Sequence, residues 1–338
     1  MSVHNGMPFV RHAVDSILQQ SFDRFEFIIV DDASSDETPE FLRSLRDSRV
    51  QVVSLAENIG LTAALNRGLG IAQGELIARQ DADDYSDPRR LENQVASMQS
   101  HASCALVGTQ ARLIDQEGRS LGKKSFPLGH DGIRFAHLFD NAFAHSGVMF
   151  RSAAVKDFGG YDEDWSASQD YELWSRLSNR FPVANLADRL VTIRVREGSI
   201  TKTHARTDLI RRVQAAHYER LFGEPASEAD LDLIALVRSR VVPERLREFL
   251  GLLTELVECY ERRKPGATKS SDFRRMLALL HERIGYNLLT LARRTAFAEF
   301  GRALKAWPPA MFNLPWIRIA ALTCMGEGAR RLYGKLAP

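Results

Sequence analysis

Cysteine is scarce in this sequence: Cys104, Cys259 and Cys324 are scattered through 338 residues, and no CxxC pair occurs. This usage indicates neither a disulfide framework nor a zinc site. The chain also has no apolar run of the roughly 18–20 residues that span a bilayer, and its first residues lack the basic-then-apolar pattern of a secretion signal. We therefore expect a cytoplasmic protein.

Acidic and basic residues are unevenly distributed. Residues 1–204 carry 22 Lys and Arg against 28 Asp and Glu, whereas residues 205–338 carry 23 against 15. The basic excess is strongest after residue 260, where 15 basic residues accompany 5 acidic ones. We therefore predict two domains, 1–204 and 205–338, with different roles.

Strand-like and helix-like patterns alternate through the first hundred residues. The runs "FEFIIVDD", "VQVVSL" and "ELIA" are typical of short buried strands, and "PFVRHAVDSILQQ", "TPEFLRSL" and "PRRLENQVASM" are typical of helices. This alternation predicts an α/β fold with a mostly parallel sheet flanked by helices. Ligands of such sheets bind beyond the carboxyl ends of the strands. Two acidic clusters of this region, Asp31-Asp32 and Asp81-Ala82-Asp83, lie at such ends.

The densest charge lies in "ARQDADDYSDPRRL", residues 78–91, where four aspartates fall within seven residues. Like charges this close need a cation or several donors. An EF-hand is rejected, because Tyr85 takes position 5 of the loop, Ser86 takes position 6, which is normally Gly, and the flanks have strand and helix patterns. Two alternatives remain: a strand-end carboxylate pair that holds a divalent cation against phosphate oxygens, or a helix cap at Asp87 with the other acids in water.

Six segments occur in a fixed order in residues 3–203: "VHNGMPFVRHAVDSILQQSF", "FEFIIVDDASSDET", "ENIGLTAALNRGLGIAQGELIARQDADDYSDPRRLENQV", "HSGVMFRSAAVKDFGGYDED", "SQDYELWSRL" and "IRVREGSIT". Together they resemble the family 2 glycosyltransferases, whose catalytic domain has the GT-A fold. The resemblance implies inverting transfer of a sugar from a nucleotide-sugar, usually a UDP-sugar, with Mn²⁺ or Mg²⁺ as cofactor. The processive Gln-x-x-Arg-Trp motif is absent, so we expect transfer of single hexosyl or N-acetylhexosaminyl units.

The resemblance also assigns donor-side roles. Asp32 would accept from the uracil ring, Asp83 would ligate the metal, and Asp81 would hold the ribose or a metal-bound water. The remaining donor-binding candidates are Asn58, Gly60, Asn66, Arg194 and Arg196, the last of which replaces the usual His. The residues alone leave alternatives open: a helix cap for Asp32, a turn for Gly60, an exposed polar side chain for Asn66, and a solvated strand edge for the arginines.

On the acceptor side, inversion by direct displacement needs a carboxylate that deprotonates the acceptor hydroxyl. The resemblance assigns this role to Asp170, in "QDYELW", where Gln169 replaces the usual Glu. The alternative for Asp170 is an N-cap of the following helix. His145 resembles a position that faces the reaction centre, and Trp165 would stack on a sugar face; a core position is the alternative for both.

The start of the chain departs from the family pattern, which begins with a strand such as "VSVIMPVYN", whereas this chain begins "MSVHNG". We therefore expect a truncated first strand, and a misassigned start would explain it. A non-catalytic nucleotide-sugar-binding protein, or an inactive truncated glycosyltransferase, is the alternative function.

The second region has helical patterns and ends in a segment, "WPPAMFNLPWIRIAALTCMGEGARRLYGKL", that is apolar and basic together. A packed helical cap is one interpretation. The other is peripheral contact with the inner face of an anionic membrane, where a lipid-linked or other glycan acceptor would lie. No nucleic-acid-recognition motif is present, so we expect no nucleic-acid partner. The expected pathway is cell-surface polysaccharide or glycoconjugate biosynthesis.

Overall fold

The structure, a computed structural model, describes residues 1–196, 204–237 and 243–288. These residues form strands and helices in an α/β arrangement. The helices of the described residues are α1 (Phe9–Leu18), α2 (Thr38–Ser44), α3 (Leu61–Ile71), α4 (Arg90–Ser100), α5 (His130–Ala136), α6 (Ser152–Lys156), α7 (Gln169–Arg180), α8 (His204–Phe222), α9 (Glu228–Ala235), α10 (Pro243–Arg263) and α11 (Ser271–Leu288).

The chain divides into two compact units. The first comprises residues 1–137 and 141–213, and the second comprises residues 138–140 with the described residues from 214 onward. The division therefore falls inside α8. The functional domain boundary after residue 204 stays a prediction.

The first sheet consists of parallel strands in the order β1-β2-β3. Its strands are β1 (Ser2–Val3), β2 (Phe27–Asp31) and β3 (Val50–Ser54). In α1, Val10, Val14 and Ile17 recur at helical spacing and pack with Phe27 and Ile29 of β2 in one buried cluster. The front of the chain therefore forms the parallel sheet that the alternation of patterns predicts.

The second sheet is mixed, with the order β4-β8-β6-β9-β5 and β7 paired to β6. Its strands are β4 (Leu76–Ala78), β5 (Tyr85–Ser86), β6 (Leu106–Ile114), β7 (Ser120–Lys124), β8 (Met149–Arg151) and β9 (Val183–Arg194). Among its described pairings only β6 and β9 run parallel. The expectation of a mostly parallel sheet does not hold here, because β8 inserts between β4 and β6 and runs antiparallel to both.

Helix α7 is packed firmly onto the second sheet. Leu173, Trp174 and Leu177 are each fully buried, and the Trp174 ring lies 5.6 Å from that of Phe150 in β8, centroid to centroid. Burial of side chains of this size stabilises the fold by about 1.5–3 kcal/mol each. This contact holds α7 in place, and Asp170, the residue that the resemblance assigns as the base, lies in the first turn of this helix.

An apolar groove of about 340 Å³ lies between the two sheets, lined by residues of both β2 and β4. Ile28, Leu65, Ile77 and Val95 are among its walls. The amino group of Met1 lies in this groove and donates to the carbonyl of Ile28 at 2.9 Å. Burial lowers the pKa of this amine to about 4, so it is neutral near pH 7.

The second unit is helical in its described part. Helices α10 and α11 meet through Tyr260 and Phe273, whose rings stack at a centroid distance of 5.6 Å. Within the described ranges, no helix combines the length and the apolar character that crossing a membrane requires. The apolar and basic segment predicted to contact a membrane lies outside the described residues.

Candidate active site

The acidic run lies in the turn between β4 and the short strand β5. Asp81 and Asp84 in this turn contact Ser146, which lies in a 3₁₀ turn just before β8. Because β4 and β8 pair antiparallel, with Ala78 opposite Met149, the residues beyond each strand end meet at one edge of the sheet. The antiparallel insertion of β8 therefore builds the site.

Asp81 is held by three side chains. Arg79 Nη2 lies 2.6 Å from Asp81 Oδ1, and the Ser146 hydroxyl donates to Oδ2 at 2.7 Å. His145 Nδ1 lies 3.5 Å from the same Oδ2. Burial alone would raise the pKa of Asp81, but the Arg79 guanidinium, with His145 and Ser146, outweighs burial and holds the pKa well below its usual range. Asp81 is therefore ionised at neutral pH.

Asp84 is the buried carboxylate of the run, 5% exposed. Its Oδ1 accepts from the Arg194 backbone N–H at 2.8 Å, and its Oδ2 lies 2.5 Å from the Ser146 oxygen. Burial and the charges of Asp81 and Asp83 raise the pKa of Asp84 well above its usual value. The Ser146 hydroxyl lies within donating distance of both carboxylates, and with one proton it can donate to Asp81 or to Asp84 at a time.

Asp83 forms an ion pair instead. Its Oδ2 lies 2.8 Å from Arg196 Nη2, with side-chain exposures of 25% for Asp83 and 41% for Arg196. Burial and the charge of Asp81 raise the pKa of Asp83, and the positive charges of Arg196 and Arg194 oppose that shift. The Asp83 carboxylate is therefore within reach of solvent and already balanced by one cation.

The two arginines near the end of β9 share an aromatic support. The guanidinium carbon of Arg194 lies 4.4 Å from the centroid of the Phe9 ring, and that of Arg196 lies 5.6 Å from it. Arg194 also donates to the backbone carbonyls of Asp83, Asp115 and Gln116, at 3.2, 3.1 and 2.9 Å. Arg194 thus fastens the acidic turn to a neighbouring loop, whereas Arg196 is directed to one carboxylate.

Asp32 follows β2 and is 2% exposed. Its Oδ1 accepts from the Ile59 N–H at 2.8 Å and its Oδ2 from the Gly60 N–H at 3.0 Å. Gly60 has a φ of 86°, which favours glycine over residues with a Cβ. Asp32 therefore anchors the loop before α3. The alternative of a helix cap is wrong for Asp32, because Asp36 accepts from the Thr38 N–H at the start of α2.

Asn58 and Asn66 also hold loops in place. Asn58 Oδ1 accepts from the Gly60 N–H at 3.1 Å, and its Nδ2 donates to the Asp32 carbonyl at 3.3 Å. Asn66 pairs with the backbone of Tyr161, donating to its carbonyl at 2.8 Å and accepting from its N–H at 3.0 Å. The predicted contacts of these two residues with a donor stay predictions.

Trp165 is 7% exposed and belongs to a buried cluster with Tyr171, Leu209 and Ile210. Its indole Nε1–H donates to Asp162 at 3.0 Å. A ring packed in this way does not present a face to a sugar. The structure therefore corrects the expected acceptor-side role of Trp165 in favour of the core alternative.

His145 lies between Asp81 and Tyr161. Its Nε2 is 3.4 Å from the Tyr161 hydroxyl, and the two rings meet edge to face at a centroid distance of 6.1 Å. Burial raises the pKa of Tyr161, and the charges of Asp170 and Asp81 add to that shift against the opposing Arg79. Tyr161 therefore stays protonated, and the charges of both Asp81 and Asp170 act on its hydroxyl.

Asp170 lies in the first turn of α7, which begins at Gln169. Its Oδ2 accepts from the side-chain amide of Asn141 at 2.7 Å, and Asn141 in turn accepts from the Phe143 N–H at 3.1 Å. The N-cap position is Ser168, with a φ of 60°, so Asp170 is not the N-cap. Gln169 is 5% exposed and lies on the buried side of the helix start.

Comparisons with known proteins decide the family. The family described as glycosyl transferase family 2 matches residues 1–159. The O-antigen biosynthesis glycosyltransferase WbnJ of Escherichia coli is 34% identical over 212 residues, which are 60% of this chain and 81% of WbnJ. The chain belongs to glycosyltransferase family 2. The amylovoran biosynthesis glycosyltransferase AmsE of Erwinia amylovora is 28% identical, over 71% of this glycosyltransferase and 91% of AmsE.

Solved structures support the same fold. TarS 1–349 of S. aureus, determined in complex with UDP-GlcNAc, aligns with a TM-score of 0.56 at 18% identity, over 90% of this chain and 87% of that chain. At this identity the likeness concerns the fold. The predicted family and the predicted GT-A fold of the glycosyltransferase are therefore confirmed.

Four residues of the glycosyltransferase site were missed by sequence reasoning: Arg79, Asn141, Ser146 and Tyr161. Arg79 lies two residues before the predicted Asp81, and Ser146 directly follows the predicted His145, so these positions were the available signal. Asn141 lies 29 residues from Asp170 in sequence, and no local pattern joins them.

The carboxylates of the acidic turn are the candidate ligands for a divalent cation. Among the residues that the structure describes, no three His, Cys, Asp or Glu side chains group as a complete metal site. Magnesium, however, is often bound by one or two carboxylates, with water and substrate phosphate as further ligands. Asp83, a quarter exposed and next to ionised Asp81, fits this incomplete protein contribution. The glycosyltransferase thus offers carboxylates for a cation that also binds a phosphate.

Proposed function

We propose that this glycosyltransferase transfers a single hexosyl or N-acetylhexosaminyl unit from a UDP-sugar to an acceptor hydroxyl, with inversion and with Mn²⁺ or Mg²⁺. The observation that carries the proposal is a separation of roles among carboxylates. Asp81 and Asp83 lie among arginines at the strand end, whereas Asp170 lies at the start of α7, held by a neutral amide. Asp81 and Asp83 suit a divalent cation that binds a diphosphate, with arginines nearby for its phosphate oxygens. Asp170 suits a catalytic base.

The donor side uses Asp32, Asp81 and Asp83 in this proposal. Each Asp32 oxygen accepts one backbone N–H and keeps a lone pair for an imide N–H of a base. Asp83, with Asp81, would hold the divalent cation, which when bound neutralises charge on the departing diphosphate. Arg196 would contribute a guanidinium for phosphate oxygens.

On the acceptor side, Asp170 would take the proton of the acceptor hydroxyl as its oxygen attacks the anomeric carbon. One C–O bond forms to the acceptor, and the C–O bond to the diphosphate breaks with its electron pair leaving on the UDP oxygen. General-base catalysis of this kind contributes about 10²–10⁴-fold. Asn141 would keep the Asp170 carboxylate in one orientation, and His145 with Tyr161 would line the space between donor and base.

The pathway in the proposal is assembly of a surface polysaccharide. WbnJ is named for O-antigen biosynthesis and AmsE for amylovoran biosynthesis, and these names support the proposal. The TarS structure with UDP-GlcNAc supports a UDP-sugar donor. A lipid-linked acceptor, a cytoplasmic location and membrane contact through the basic C-terminal region stay predictions.

A non-catalytic nucleotide-sugar-binding protein is the second candidate. Arg196 on Asp83, together with Gln169 in place of the usual Glu, favours it, because both reduce the negative charge available for catalysis. The deciding experiment is a panel of UDP-sugars and other nucleotide-sugars with Mn²⁺, read by thermal shift and by nucleotide release. Nucleotide release supports the transferase, a thermal shift without release supports the binding protein, and neither response contradicts both.

A further inference from the structure

Arg196 and Asp83 form an ion pair on the solvent side of the acidic turn. Their closest atoms are 2.8 Å apart, and the arginine side chain is 41% exposed. Among the described residues, Asp83 is the one hydrogen-bonding or ionic partner of the Arg196 guanidinium. Ion pairs this exposed contribute little to stability and exchange partners readily.

Arg194 provides the contrast. It lies two residues away and stacks closer to Phe9, and its guanidinium donates to backbone carbonyls of Asp115 and Gln116. These backbone partners hold the Arg194 guanidinium in place. Arg196 lies farther from the same ring, 5.6 Å from its centroid, and among the described residues its one ionic contact is with Asp83.

The charges of the turn explain why Asp83 attracts Arg196. Asp81 is paired with Arg79, and Asp84 is buried against Ser146 and a backbone N–H. The remaining negative charge is that of Asp83. A divalent cation at Asp83 would repel Arg196, and a diphosphate bound to that cation would offer the guanidinium a second anion of fitting geometry.

We propose that Arg196 is an exchangeable cation, which occupies the Asp83 carboxylate in the empty enzyme and moves to the diphosphate when a divalent cation takes Asp83. This inference rests on the proposed function. It implies that Arg196 opposes binding of the cation alone and supports binding of the nucleotide with the cation. Loss of its charge must therefore change the two affinities in opposite directions.

The experiment measures Mn²⁺ affinity without nucleotide, by electron paramagnetic resonance of free Mn²⁺, and UDP affinity at saturating Mn²⁺, by calorimetry. The full chain is compared with Arg196→Gln and Arg196→Lys. Arg43→Gln is the matched control, because Arg43 is an exposed arginine of α2 and loses the same charge. Thermal melting checks that each variant is folded.

For Arg196→Gln we expect about fivefold to tenfold tighter Mn²⁺ binding and about fivefold to tenfold weaker UDP binding, the scale of one exposed charge contact. Arg196→Lys keeps the charge but lacks the planar guanidinium, so its Mn²⁺ and UDP affinities should lie between those of the wild-type chain and Arg196→Gln. Arg43→Gln should change neither affinity. Equal or weaker Mn²⁺ binding by Arg196→Gln overturns the competition for Asp83. Unchanged UDP affinity overturns the move to the diphosphate.

These outcomes separate the inference from the proposed function. If the wild-type chain binds UDP with Mn²⁺ but Arg196→Gln behaves like Arg43→Gln, the inference fails and the proposed function stands. If the wild-type chain binds neither UDP nor any other nucleotide with Mn²⁺, both fail.

Discussion

The side-chain amide of Asn141 donates a hydrogen bond of 2.7 Å to the carboxylate of Asp170, across 29 residues of sequence. The other end of the amide is fixed by the Phe143 N–H. A carboxylate that must accept a proton along one direction benefits from such a fixed neighbour, because its reactive oxygen is already oriented.

Replacement of Asn141 tests this orientation. A hydrogen bond to a charged group contributes about 1.5–3 kcal/mol, so Asn141→Ala should lower kcat about tenfold to a hundredfold while UDP affinity is unchanged. The nearly isosteric Asn141→Asp should be worse, because it places a second carboxylate against Asp170. Steady-state kinetics and UDP titration check both variants. If Asn141→Asp retains more activity than Asn141→Ala, side-chain shape rather than the hydrogen bond is what matters.

Replacement of Trp165 distinguishes a role in the core from a role in sugar binding. Because it is 7% exposed within an apolar cluster, Trp165→Ala should lower the free energy of unfolding by about 3–5 kcal/mol, and Trp165→Phe should cost less. Denaturant unfolding of the purified chain measures this. An unchanged unfolding midpoint, together with a raised KM for the acceptor, would restore the sugar-stacking interpretation.

The amino group of Met1 gives a pH dependence to stability. Its pKa falls from 8.0 in the unfolded chain to about 4 in the folded one, so between these values the unfolded state binds more protons. The free energy of unfolding should therefore rise with pH from about 4 to 8 through this group. Urea unfolding at several pH values, in protein whose mass shows that Met1 is retained, measures the slope.

An added N-terminal segment provides the control for that slope. About six β-branched apolar residues ahead of Met1 replace the amine by an amide and supply side chains for the apolar groove beside Ile28 and Ile77. We expect loss of this pH slope, a higher melting temperature and tighter UDP binding. Six Gly and Ser residues should remove the slope but raise the melting temperature less. A slope that is the same in all three chains would show that the Met1 amine does not cause it.

The C-terminal segment tests membrane contact, a prediction that falls outside the described residues. Residues 289–338 carry eight Lys and Arg, two Glu, and the aromatics Trp307, Phe312 and Trp316. The full chain should sediment with anionic vesicles, and a chain that ends at residue 288 should not, once melting shows that it is folded. Equal sedimentation of both chains would leave the packed helical cap as the interpretation of this segment.

The acids at the strand ends could be predicted from the sequence, because they lie within a few residues of the apolar strand patterns. Asp32 and the run from Asp81 follow apolar strands directly, and the sheet brings such ends together. The insertion of β8 between β4 and β6 could not be predicted, because it pairs residues about 70 apart that carry no shared pattern. The burial of Trp165 depends on α8, and the Asn141 contact depends on how α7 packs, so both needed the tertiary structure.

The most direct test of the account is UDP release from a UDP-sugar with Mn²⁺, measured for the wild-type chain, Asp83→Asn and Asp170→Asn alongside UDP affinity. We predict that Asp83→Asn, while still folded, loses both turnover and Mn²⁺-dependent UDP binding. We predict that Asp170→Asn binds UDP normally but turns over the UDP-sugar about a hundredfold or more slowly, the scale of a lost general base. Unchanged UDP affinity in Asp83→Asn, or collapsed donor binding with high residual turnover in Asp170→Asn, would contradict the separation of roles between these carboxylates.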